Sequence, residues 1–178
     1  LHASPALDPR LSTSGRTSGV IFVHSQTATH LIDRGRVLHT VPVVRGSPMS
    51  QDPKLNSHSK LNCILAGIHA QKAGADEALM LDPNGFVNTT NGCNFFIVKK
   101  DEVWTSTGDY CMNGITRKKV IELCKENDIP VYERNFSLTD TYDADEAFLT
   151  GTFGAQTPVK EIDGRSIGSG GAGAMTLK

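Results

Sequence analysis

Apolar and polar positions alternate in short blocks along most of the chain, and two blocks break into a helical period. Val20-Ile21-Phe22-Val23 and the run from Val37 to Val44 have the β-branched, turn-bounded character of strands. From Ser57 the spacing changes. Leu61, Ile64, Leu65 and Ile68 recur at three- and four-residue intervals, Ser57 is an N-cap type and Gly74 a stop signal, which predicts a helix over Ser57–Ala73. Two strand pairs follow: Glu77–Leu81 with Gly85–Val87 across Asp82-Pro83-Asn84-Gly85, and Asn94–Val98 with Val103–Thr105 across Lys99–Glu102. Val120, Ile121, Leu123 and Cys124 predict a second helix over Thr116–Glu126, ended by Asn127-Asp128-Ile129-Pro130, with β character returning at Val131–Arg134.

Ala147-Phe148-Leu149 predicts a further buried strand, and Val159–Ile162 with Arg165–Ile167 a last pair joined at Asp163-Gly164. Gly168–Gly173 is rich enough in glycine to need a ligand or neighbour to hold one shape. Many strands and two good helices predict an α+β domain.

Composition narrows the function. The 178 residues include 18 basic and 19 acidic side chains for a formal charge of −1, so neither nucleic acid nor an anionic membrane is indicated as partner. No apolar run is long enough to span a bilayer and the opening residues lack a secretory pattern, so the expected location is cytoplasm or an organelle matrix. Cys63, Cys93, Cys111 and Cys124 are too scattered for a zinc site or a disulfide scaffold, and the sequons at Asn88 and Asn135 carry little weight in that setting.

Two segments suit an anion. Gly114-Ile115-Thr116-Arg117 opens the second predicted helix, where amide N–H groups lack intrahelical acceptors and the dipole is positive; an ordinary helix start reads the same way. Thr150-Gly151-Thr152-Phe153-Gly154 follows a buried strand with hydroxyls and small residues, as a ligand-free polar turn also would. Together they favour a phosphorylated ligand. Lys54 and Lys60 flank the start of the first predicted helix, but a lysine is usually a solvated charge and composition does not choose between them.

The order of motifs resembles the class IV pyridoxal-phosphate enzymes, which include branched-chain aminotransferases, D-amino-acid aminotransferases and aminodeoxychorismate lyases. The residues that carry it are Lys54 before a helix, Gly74–Asp82, Gly85-Phe86-Val87, Asn94–Val98, Gly114–Arg117, Asp145–Thr152 and Thr157-Pro158-Val159 with Ile162-Asp163-Gly164. The likeness runs from about Val41 to Gly173. It implies the larger, C-terminal domain of the D-amino-acid aminotransferase-like fold, with pyridoxal 5'-phosphate as cofactor, an amino acid and a 2-oxo acid as substrates, and a homodimer.

The resemblance also assigns roles. Lys54 is the best match to the Schiff-base lysine, with Lys60 as alternative if the register shifts. Ile115 and Thr116 match the phosphate turn, Met112 the contact on the pyridine ring, and Gly151 and Thr152 the turn shared by phosphate and substrate carboxylate; Phe153 then faces the substrate. Two departures stand out. Thr89 occupies the position of the glutamate that pairs with the pyridine nitrogen, and a hydroxyl does not hold a proton there as a carboxylate does. The family's smaller N-terminal domain and final helix have no counterpart in these 178 residues, which read as one large cofactor-binding domain. An aminotransferase is therefore expected, with a lyase of the aminodeoxychorismate type or a non-catalytic relative as the alternatives.

Overall fold

A computed structural model describes residues 35–152 and 154–178. The strand expected at Val20–Val23 and the site residue Phe153 lie outside them. The strands are β1 (Arg36–Thr40), β2 (Glu77–Leu81), β3 (Val87–Thr90), β4 (Asn94–Lys99), β5 (Glu102–Thr105), β6 (Val131–Glu133), β7 (Glu146–Gly151), β8 (Ala155–Ile162) and β9 (Arg165–Ser166). The helices are α1 (Leu61–Lys72), α2 (Ile115–Glu126) and α3 (Leu138–Tyr142).

All nine strands join one sheet. Along the order β3-β2-β1-β8-β7-β4 each strand pairs with the next, and the Thr89–Asn94 pairing of β3 with β4 closes the path into a ring of six. Within it β1 runs parallel to β2 and β8, while the other neighbours are antiparallel. β5 and β6 extend from β4 outside the ring, and β9 pairs with β8.

Closure explains why so many strands are buried on both faces. Leu38, Leu79, Val87, Phe95, Ile97, Leu149 and Val159, drawn from all six strands, form one cluster that fills the ring. Their sequence neighbours point outward, to the helices. Phe96, Val98 and Phe148 pack on Val120, Ile121 and Cys124 of α2, with the Phe96 and Phe148 rings stacked 4.9 Å apart. Ala78 and Met80 pack on Ala66 and Ala70 of α1.

The structure corrects the predicted elements in several places. The run from Val37 is strand only to Thr40, and the strand expected at Gly85–Val87 is Val87–Thr90. The first helix begins at Leu61, not Ser57, because residues 47–60 are taken up by turns and Lys60 holds a non-helical backbone. Gly74 does end it, at φ +79°, where a side chain would be strained. α3 was not anticipated; Ser137 and Asp140 close a capping box around that single turn. The predicted strand at Val159 begins at Ala155, since pairing with β7 carries it through Thr157 and Pro158. The glycine-rich tail is held by a neighbour: the Glu146 carboxylate accepts the amides of Met175 and Thr176, and a Cβ on Gly173 would overlap that carboxylate.

Candidate functional site

At one end of the ring, the β3–β4 turn, the end of β7 and the starts of α1 and α2 surround a cavity of about 670 Å³. Six residues singled out in the sequence for the cofactor lie on its wall: Thr89, Met112, Ile115, Thr116, Gly151 and Thr152. They come from three separate stretches of chain.

The α2 corner is the most fully built. Gly114, with φ −63° and ψ 147°, leads into the helix without a side-chain cap, so the first-turn amides are left for a ligand. The glycine is needed there, because a Cβ would stand 2.5 Å from Asn94 Oδ1. Asn94 Nδ2 donates to Met112 O at 2.9 Å, which ties the segment before the helix to β4. Arg117, buried beneath the helix start, donates through Nη2 to Ser106 O and to Glu133 Oε2, both at 2.7 Å. Thr150, which lines the same cavity and is 2% exposed, carries a hydroxyl with no hydrogen-bond partner among the described residues. A buried orphan hydroxyl and uncapped helix amides on one cavity suit an anion with several oxygens.

Other walls behave differently. The Thr89 hydroxyl donates to Cys93 O at 2.6 Å, so its proton is already committed and its oxygen is left as a neutral acceptor. Cys93 lines the same wall, and burial, reinforced by the Glu77 carboxylate beside it, pushes its thiol up to about 12; it is a neutral thiol at ordinary pH.

The two lysines part company. Lys54 is exposed and is not on the cavity wall, because the turn at Asp52–Leu55 carries it away; its amide is tied to Asp52 Oδ1 at 3.0 Å. Lys60 is also exposed but lines the cavity, with Nζ 3.2 Å from Asn56 Oδ1. Of the two candidate lysines, Lys60 is the one on the cavity wall. Arg45 and Asn94 were given no role in the sequence, and Thr150 entered only as the first residue of the second anion-suited segment. Asn94 and Thr150 stand at the ends of strands that do read as strands, but nothing in their spacing marks the side chains that face the cavity.

Among the described residues no His, Cys, Asp and Glu cluster could hold a metal, and no helix is long and apolar enough to cross a membrane.

Comparison with known proteins gives this cavity a context. Branched-chain-amino-acid aminotransferase-like protein 2 of Arabidopsis thaliana is 46% identical over 146 residues, covering 82% of this chain and 26% of that protein. The branched-chain-amino-acid aminotransferase of Pseudomonas aeruginosa is 43% identical over 118 residues, 66% of this chain and 38% of that one. Among solved structures, the branched-chain amino acid aminotransferase of Thermobaculum terrenum in its PLP form superposes with a TM-score of 0.78 at 33% identity, over 81% of this chain and 48% of its own. The Escherichia coli branched-chain amino acid aminotransferase gives 0.78 at 32%, over 81% and 50%. The chain thus spans about half of these solved relatives and less of the curated ones. The fold is that of the larger domain of such enzymes, and with a match to Amino-transferase class IV over residues 3–162 the chain belongs to that family.

Proposed function

We propose that the cavity binds pyridoxal phosphate and that the whole protein transfers an amino group between an amino acid, of branched-chain or D type, and a 2-oxo acid. The observation that carries this reading is the meeting of the α2 start, the Thr150–Thr152 turn and Lys60 on one cavity wall. The phosphate end is the α2 corner: the uncapped amides of Ile115 and Thr116, the Thr116 hydroxyl and the partnerless Thr150 hydroxyl, all from residues on the cavity wall, offer donors to phosphate oxygens. Gly151 completes the seat, since a Cβ there would press on Cys93 Sγ at 3.2 Å. Met112 offers an apolar surface to the pyridine ring.

When bound, the cofactor supplies an aldehyde that condenses with amines and a ring that withdraws electrons from the substrate Cα. The chain supplies the rest. Lys60, rather than Lys54, is the amine within reach; its Nζ moves the proton at the substrate Cα, and Asn56 orients it. Thr152 flanks the substrate. Homodimer assembly, which the resemblance implies, belongs to the same proposal and is read by light scattering.

Titration of the complete protein with pyridoxal phosphate, borohydride reduction and peptide mapping test this. A visible band and a label on Lys60, lost in Lys60→Ala and kept in Lys54→Ala, are expected. A label on Lys54 moves the amine, and the absence of any band rejects the site.

Thr89 favours a second reading, a relative that binds the cofactor without transamination, because a hydroxyl engaged with Cys93 O does not hold a proton on the ring nitrogen. In that case Thr89→Glu raises turnover from nothing.

A further inference from the structure

The described residues include five arginines, and four have an evident partner. Arg36 and Arg117 pair with Asp76 and Glu133, while Arg134 and Arg165 lie over the rings of Trp104 and Tyr142, each 4.4 Å from the centroid. Arg45 is the exception. It is half-buried, forms no ion pair among the described residues, and lines the cavity.

Its position is nonetheless fixed. The Arg45 amide donates to Leu81 O at 2.9 Å, which holds the backbone against β2. Nε donates to Tyr110 O at 2.8 Å and Nη1 to Cys63 Sγ at 2.9 Å. The guanidinium therefore bridges the start of α1 and the segment leading to Gly114. Those contacts use two of its five N–H donors and provide neither a negative charge nor an aromatic face. A partly desolvated cation fixed at a cavity wall without a counter-charge is costly unless a ligand provides one.

We propose that Arg45 is an anion-binding residue of this cavity, its unengaged guanidinium edge taking two oxygens of the ligand. This rests on the reading of the cavity as a cofactor and substrate site, and it adds the residue that recognises the ligand's charge. Two anions fit the fork, a carboxylate of an amino or oxo acid and a phosphate. Only one other cation, Lys60, is on the described wall, and Asp52 is the one carboxylate there.

The test measures binding to the complete protein, as wild type, Arg45→Lys and Arg45→Met, of pyridoxal phosphate, pyridoxal, inorganic phosphate and 4-methylpentanoate. Loss of a bidentate charged contact is expected to weaken one anion by about 10- to 100-fold in Arg45→Met, with Arg45→Lys between, since charge remains but the fork is lost. If the carboxylate is the partner, 4-methylpentanoate weakens and both pyridoxal forms are unaffected. If it is the phosphate, pyridoxal phosphate and inorganic phosphate weaken and pyridoxal is unaffected. Methylguanidinium added to Arg45→Met is expected to restore part of the loss, which a purely structural role would not show. Should Arg45→Met fail to fold, Arg45→Lys alone carries the comparison. Equal binding of both anions by wild type and folded variants, with or without cofactor uptake, overturns the proposal. Failure of wild type to take up pyridoxal phosphate, with Arg45-dependent carboxylate binding intact, rejects the cofactor reading and leaves this one standing.

Discussion

The two long helices have the same length and both start at the cavity, yet they are held in opposite ways. α2 buries Arg117, Val120, Ile121 and Cys124 against Phe96, Val98 and Phe148, so its first turn is fixed from below. α1 buries only Ala66 and Ala70, and its large apolar residues Leu61, Ile64 and Ile68 are 65%, 58% and 43% exposed. The difference separates two tasks. Under the proposed function the α2 wall is the seat for the anion, whose amides gain from preorganisation. The α1 wall, with Arg45 and Lys60, hangs on a long turn-rich connection and, in that proposal, presents the reactive side chain.

The contrast predicts unequal mutational costs. Phe96→Ala removes a ring stacked on Phe148 behind α2 and is expected to destabilise the fold by about 3–5 kcal/mol, read by denaturant titration. Glu133→Gln takes the charge from the partner of the buried Arg117 guanidinium, and because Glu133 is half exposed the expected cost is about 1–2 kcal/mol, accompanied by weaker cofactor binding.

Asp163 anchors the other wall's supply line. It accepts from the Thr40 amide and hydroxyl at the end of β1 and from the Tyr142 hydroxyl. Burial alone would raise its carboxyl, but those hydrogen bonds, with His39 beside them, hold it below the ordinary carboxylate value. A depressed folded-state pKa contributes stability that is complete above the unfolded-state value, near 4, and is lost as pH falls through the lower folded value. Asp163→Asn is therefore expected to cost about 1 kcal/mol at pH 7, with the gap to wild type closing in acid below about pH 4. The smallest effect is expected on α1: Ile64→Ala changes stability by no more than about 0.5 kcal/mol, and a larger loss would mean that this face is covered.

The same contrast governs what could be read in the chain. α2 was legible because its apolar stripe is the face it buries: Val120, Ile121 and Cys124 point where the period says. α1 showed an equally good stripe, but Leu61, Ile64 and Ile68 face outward while small alanines face the sheet, so periodicity found the helix and misjudged its inner side. Hairpin signals located the strands, whereas ring closure through Thr89 and Asn94 is a long-range pairing that local sequence does not encode. At the site, Gly114–Thr116 was legible because glycine before a helix has a steric reason. Which of Lys54 and Lys60 lines the cavity was not, because that depends on the turns of residues 47–60, which the helical period does not encode.

The central claim is that the α2 start is the phosphate seat, and Gly114→Val addresses it most directly, since its side chain would collide with Asn94 Oδ1 at the mouth of the free amides. The measurement is the ratio of affinities for pyridoxal phosphate and pyridoxal in the complete protein. Wild type is expected to prefer the phosphorylated form by about 100-fold or more, and Gly114→Val to lose most of that preference while its affinity for pyridoxal is little changed. An undiminished preference in a folded Gly114→Val protein would contradict the account.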